Sequence, residues 1–296
     1  MVPLLLALLA AADSSADNTV VRDIQVAPQE VLRTTMLGAG EPVVFIPGLF
    51  GSAFGYRRLT GPMAERGYRS IVVEPLGYGW SSHPSHADYS FAAQADRVAQ
   101  ALDSLGVSQA LLVAQSTGTS IALRLAIRRP DLVRGLVSID GGPVESPATP
   151  GLRRSLRLGG VLTKLVLTRE AFEHGVRKAI TENSGDTSWI TDSVVAAYAA
   201  GPMADLHGTI DAFRAMSKAK EPTSLFSELH QCVVPVRLLR GSVSHPNGVT
   251  ASEIEMMSER LPDFAVDSVP ASGQYVHEEQ PDVVLAVLLK LDEETD

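Results

Sequence analysis

Cysteine is almost absent. Cys232 is the single one in 296 residues, so an intrachain disulfide is excluded, and its place at the start of an apolar run reads as a small buried hydrophobe. Basic residues are also short: 25 Lys and Arg against 34 Asp and Glu give a net charge of −9, which argues against nucleic acid as a partner. The chain lacks CxxC, HExxH and the P-loop pattern, so no metal or nucleotide cofactor is expected. No apolar stretch is long enough to span a bilayer; the longest, residues 1–12, ends in Ala10-Ala11-Ala12 and resembles a signal-peptide core, but no Lys or Arg precedes it. It is read as a signal peptide or a mobile tail, which leaves export and cytoplasmic residence level.

An apolar content of 45% with 20% charged residues is that of a globular chain. Apolar strand-like runs at Pro42–Ile46, Tyr68–Glu74, Leu111–Ala114, Val133–Ile139 and Val233–Arg240 alternate with helical patterns at Tyr56–Arg66, Phe91–Leu105 and Ser252–Arg260. An initial hairpin over Thr19–Met36, a strand over Phe264–Val269 and a helix over Val283–Leu291 complete the pattern. The expected class is α/β, with a mostly parallel central sheet covered on both faces by helices.

Between Pro143 and Gln231 the strand signal disappears. Helices are expected over Leu152–Leu165, Glu170–Thr181, Asp192–Ala199 and Met203–Ala219, with Gly201-Pro202 as a break. This gives a core of residues 13–142 plus 232–296 and a helical cap of residues 143–231. Arg153, Arg154 and Arg157 on the first cap segment read as a solvated basic face in preference to a membrane-docking one.

The chemistry concentrates at Leu111–Ala126. A buried strand turns at Gln115-Ser116-Thr117-Gly118 and continues as a helix, which lifts the Ser116 hydroxyl above a sheet and requires small neighbours, here Ala114 and Gly118. An N-capping serine at an ordinary strand–helix junction is the plainer alternative. Pro47-Gly48-Leu49 forms a loop able to present backbone N–H groups to a cavity, and Pro75–Ser82 forms a second, glycine-rich loop.

Taken together, the Pro47-Gly48 loop, Glu74-Pro75-Leu76-Gly77-Tyr78-Gly79, the Ser116 elbow, the strand ending Ile139-Asp140 and Glu278-Glu279-Gln280-Pro281 resemble, in order, the α/β-hydrolase family. The pattern is most similar to its capped esterases, lactonases and carbon–carbon hydrolases. The resemblance implies Ser116 as nucleophile toward a small carboxylic ester or lactone. It also implies an oxyanion hole from the backbone N–H groups of Leu49 and Thr117. Dehalogenases and epoxide hydrolases of this fold use an Asp nucleophile, which Ser116 does not match.

Two positions depart from that pattern. Gln274 stands where the family carries its catalytic histidine, and a neutral amide cannot accept a proton near neutral pH. Ser244 and His245 occupy the usual acid loop, while Asp140 is an alternative acid at the end of the preceding strand. Three readings follow. Gln274 is a natural or introduced loss from a triad of Ser116, Asp140 and a histidine at 274; or another histidine (His277, His245, His83 or His86) serves as base; or the pocket only binds a small molecule. A lyase or cyclase using the same cavity is a weaker alternative. Loss of the base from such a triad lowers turnover by about a million-fold, leaving roughly a thousand-fold over water. The oligomeric state is not legible in the sequence.

Overall fold

The computed structural model describes residues 18–147 and 168–295. The segment read as a signal peptide or tail and the first expected cap helix, Leu152–Leu165, therefore lie outside the described residues.

Eight strands form one sheet in the order β1-β2-β4-β3-β5-β6-β7-β8. β1 (Val20–Ala27) and β2 (Glu30–Leu37) make the antiparallel hairpin, and β2 also lies antiparallel to β4 (Tyr68–Val73). β3 (Glu41–Ile46), β5 (Ala110–Gln115), β6 (Val133–Ile139), β7 (Val236–Gly241) and β8 (Phe264–Val269) join β4 in parallel.

The inner strands are apolar on both sides because both faces are covered. In β3, Val44 and Ile46 enter one core cluster while Val43 and Phe45 enter the other; Leu112 and Ala114 divide from Leu111 and Val113 in β5 in the same way. The first cluster is closed by α2 (Phe91–Ser104) and α3 (Thr117–Arg128), through Val98, Leu102, Ile121 and Leu125. The second is closed by α1 (Arg57–Glu65) and a C-terminal helix over Pro281–Thr295, through Leu59, Met63, Leu285 and Leu288.

Between β6 and β7 the described residues are helical: α4 (Arg169–Glu182), α5 (Asp192–Ala204), α6 (Leu206–Met216) and the single turn α7 (Leu225–Glu228). Thr168, Thr191 and Asp205 cap the first three by accepting backbone N–H groups. The expected break at Gly201-Pro202 is corrected: α5 runs through both residues and ends at Asp205, where the backbone leaves the helix at φ −140°, ψ 74°. Gly201 packs directly on Gly79, where a Cβ would come within 2.8 Å of the Gly79 carbonyl carbon, so this glycine serves a close approach instead of a turn. The next helix accordingly starts at Leu206, not Met203. After β7 come α8 (Ala251–Arg260), opened by a Thr250/Glu253 capping box, the short α9 (Val276–Glu279) and the C-terminal helix, α10.

The register aligns the carboxyl ends of the central strands: Ile46 pairs with Ala114, Gln115 with Ile139, and Ile139 with Leu239. The loops that follow β3, β5, β6 and β7 therefore open at one end of the sheet, where ligands bind in open parallel sheets. Those loops carry Leu49, Ser116, Asp140 and His245.

Candidate active site

Ser116 sits at φ +51°, ψ −123°, a conformation that side chains other than glycine rarely adopt. The strain is held by neighbours: its N–H donates to the Ile139 carbonyl at 3.0 Å and its carbonyl accepts the Thr119 N–H at 3.0 Å. Gly118 is needed because a Cβ there would fall 2.5 Å from the Ile46 carbonyl oxygen. The elbow and the Leu49 loop are thus pressed together, and the hydroxyl is left half-buried.

Glu74, buried at the end of β4, fastens that loop from behind. It accepts the Ala53 N–H at 2.9 Å and the Trp80 N–H at 2.5 Å, and burial pushes its carboxyl up to about 7. The Leu49 N–H donates to the Thr117 hydroxyl at 3.0 Å, with the Tyr78 hydroxyl 3.5 Å beyond. The Thr117 N–H lies at the first position of α3, among the donors a helix leaves unpaired. Leu49 and Thr117 are brought together, and the hydroxyl of one occupies the N–H of the other.

Gln274 reaches Ser116. Its Nε2 donates to Ser116 Oγ at 3.2 Å and to the Asn247 carbonyl at 3.4 Å. The second bond fixes the orientation of the amide, since a reversed side chain would set its oxygen against that carbonyl oxygen. Asn183, which ends α4, holds both partners: its carbonyl accepts the Gln274 N–H at 2.7 Å and its Oδ1 accepts the Asn247 N–H at 3.2 Å. Neither Asn183 nor Asn247 is singled out by the sequence, because each acts through a backbone or amide contact that has no motif.

Asp140 and His245 face each other, with His245 Nε2 3.1 Å from Asp140 Oδ2 and side chains 3% and 0% exposed. Ser244 is exposed beside them. His277 is buried between Tyr56 and Tyr275, ring centroids 5.5 and 6.0 Å away; burial pushes its imidazole down to about 3, so it stays neutral. His83 lies against Thr209 Oγ1 at 3.2 Å and Asp205 at 3.5 Å, with its ionisation lowered by burial, while His86 is exposed. No histidine hydrogen-bonds Ser116 Oγ among the described residues.

A cavity of about 130 Å³ adjoins the elbow, lined by Leu49 and Gln115 from the core, Ile180 and Tyr198 from α4 and α5, and Tyr275 and His277 from the Gln274 loop. The Glu-Glu-Gln-Pro stretch ties these parts. Glu278 is fully buried, accepts the Tyr198 hydroxyl at 2.7 Å and pairs with Arg57 and Arg58. Glu279 gathers the N–H groups of Gly185, Asp186 and Gly273 at 2.9, 2.8 and 3.2 Å. Among the described residues no cluster of His, Cys, Asp and Glu is arranged to hold a metal, and no helix is long and apolar enough to cross a membrane.

The sheet order, the strained serine at the β5–α3 junction and the loops gathered at one sheet end define an α/β-hydrolase fold. The family described as "alpha/beta hydrolase fold" matches residues 41–172. A 2-hydroxymuconate semialdehyde hydrolase of Pseudomonas sp. is 40% identical over 119 residues, 39% of this chain and 41% of that one, so the match spans about two fifths of that relative's length. A 2-(acetamidomethylene)succinate hydrolase of Mesorhizobium japonicum is 25% identical across 94% of this chain and 97% of its own. Among solved structures, the epoxide hydrolase CorEH superposes with a TM-score of 0.77 at 19% identity, covering 94% of this chain and all of that one, a likeness of fold. The chain has the α/β-hydrolase fold, and over residues 41–172 it is similar to that family and to its hydrolases.

Proposed function

We propose that this protein is a serine acyl hydrolase by descent, acting on a small carboxylic ester or lactone through Ser116, with turnover slowed by Gln274 at the position of the general base. The observation that carries this reading is the bond from Gln274 Nε2 to Ser116 Oγ. The residue at 274 is in contact with the hydroxyl, as a base must be, but it donates to that oxygen and cannot take its proton.

In this reading Ser116 Oγ attacks the acyl carbon, and the charge developing on the carbonyl oxygen is accepted by the N–H groups of Leu49 and Thr117. The Thr117 hydroxyl, which occupies the Leu49 N–H at rest, turns away as the substrate oxygen enters. Residues 143–231 act as the cap over the core of residues 13–142 and 232–296, and the cavity between α4, α5 and the Leu49 loop takes part of the substrate. Support for a cap comes from Asn183 and Tyr198, which reach from it to the Gln274 loop and to Glu278.

The test is Gln274→His against the parent and Ser116→Ala with short p-nitrophenyl esters. A positioned base contributes typically 10²- to 10⁴-fold, so a rise of about a hundred-fold or more is expected, abolished when Ser116→Ala is added. A second reading, a small-molecule binder that no longer turns over, is favoured by the resident Thr117 hydroxyl on the Leu49 N–H. It predicts thermal stabilisation by esters or lactones that are recovered unchanged.

A further inference from the structure

We infer that the cavity beside the elbow takes the acyl chain of the substrate, and that this chain is short, apolar and uncharged. The inference rests on Ser116 being the nucleophile. It starts from the cavity wall. Among the described residues no Asp, Glu, Lys or Arg lines the cavity. From α4 come Val176, Ala179 and Ile180, whose spacing puts them on one face of the helix. Tyr56 and Tyr198 line it too, but their hydroxyls are engaged, donating to the Ile46 carbonyl at 2.8 Å and to Glu278 at 2.7 Å.

The cavity abuts the reacting centre at three points. Leu49 lines it and bears an oxyanion N–H. Gly48 lines it, and a Cβ there would stand 3.2 Å from Ser116 Cβ. Tyr275 lines it and follows Gln274, whose amide donates to Ser116 Oγ. The departing alcohol of an ester must reach solvent, whereas the acyl group stays on the serine until water arrives. A recess between cap and core suits the part that stays.

Charge of either sign is opposed from behind the wall. Buried Glu278 holds the Tyr198 hydroxyl and is itself paired with Arg57 and Arg58. The ionisable side chains of the lining show the consequence. Burial, with the Arg57 charge adding to it, pushes the His277 imidazole down to about 3, and burial with the Glu278 charge pushes the Tyr198 and Tyr275 hydroxyls up. A carboxylate on the chain would meet that burial and Glu278; an ammonium would meet it and Arg57. Size follows from volume. A cavity of about 150 Å³ holds one benzene, so this one of about 130 Å³ takes about four or five carbons beyond the acyl carbon.

The experiment measures kcat/KM of the Gln274→His protein for p-nitrophenyl acetate, butanoate, hexanoate and decanoate. Two charged esters matched to hexanoate in length, the adipic acid half-ester and the aminohexanoate with its terminal ammonium, complete the set. Each buried methylene is worth about four-fold, so the constant should rise about ten-fold from acetate to butanoate and fall again by decanoate. Each charged ester should run at least about a hundred-fold below hexanoate, because its terminal charge is buried unpaired. Adding Ala179→Phe should lower the hexanoate-to-acetate ratio about ten-fold, since it fills the cavity. Adding Val176→Ala, which widens it, should raise the decanoate-to-hexanoate ratio. Charged esters as fast as hexanoate, a flat chain-length series, or ratios that neither folded variant moves overturn the inference and leave Ser116 as nucleophile. If Gln274→His hydrolyses none of the esters, the inference falls together with the Ser116 reading.

Discussion

Arg57 and Glu278 form an ion pair in which only the cation reaches solvent: Arg57 is 30% exposed and Glu278 not at all. Glu278 also accepts the Tyr198 hydroxyl and lies 3.3 Å from Arg58, so one buried carboxylate joins α1, α5 and the loop that bears Gln274.

The asymmetry gives a stability prediction. Arg57→Met strands a buried negative charge with Arg58 alone to compensate, and should cost about 3 kcal/mol. Glu278→Gln leaves cations that already see water and should cost about 1–2 kcal/mol, close to one lost charge-assisted hydrogen bond. Urea denaturation of both variants checks the order; equal losses would mean the pair is not held by the carboxylate's burial.

His277 sets a pH dependence. Burial lowers its imidazole from 6.5 to about 3 in the folded chain, so between those values the unfolded chain binds a proton that the folded one does not. Its contribution to stability is present above about pH 6.5 and is lost as the pH falls toward 3. The slope from one such group approaches about 1.4 kcal/mol per pH unit. His277→Phe, which keeps a ring between Tyr56 and Tyr275, should lose less stability from pH 7 to pH 5 than the parent does, as read by urea midpoints.

Gly118→Ala tests the elbow. The added methyl would press on the Ile46 and Pro47 carbonyl oxygens at 2.5 and 2.8 Å, forcing the helix away from the Leu49 loop. The cost of such overpacking is about 1–3 kcal/mol. Acylation of Ser116 should fall by at least ten-fold in the variant while its circular dichroism stays that of the parent.

Thr117→Ala removes the hydroxyl that the Leu49 N–H holds but leaves the Thr117-position N–H in place. Stability should drop by about 1 kcal/mol, the net worth of a hydrogen bond. The acylation rate should hold or rise, because the substrate oxygen no longer competes for the donor. A ten-fold fall would instead make the hydroxyl a third donor to the oxyanion.

These sites differ in how far the sequence announces them. The sheet was legible because buried parallel strands are short apolar runs bounded by turns, and Ser116 because its elbow demands small neighbours. Gln274 was legible as a position, from the Glu-Glu-Gln-Pro stretch after it. Its bond to Ser116 was not, since the two lie 158 residues apart and only the fold brings them together. Asn247 acts through a backbone carbonyl that any residue possesses, and Asn183 through its carbonyl and through a side-chain Oδ1 whose partner only the fold reveals. Gly201-Pro202 reads as a breaker, yet α5 passes through it, because contact with Gly79 and not turn geometry selects the glycine.

The central claim is that Ser116 is an acylable nucleophile held back by the residue at 274. Steady-state hydrolysis of p-nitrophenyl acetate by folded Gln274→His, with Ser116→Ala as the zero, tests it most directly. The account predicts turnover at least about a hundred-fold above the parent, lost entirely with Ser116→Ala. A folded Gln274→His protein that hydrolyses the ester no faster than Ser116→Ala would contradict it.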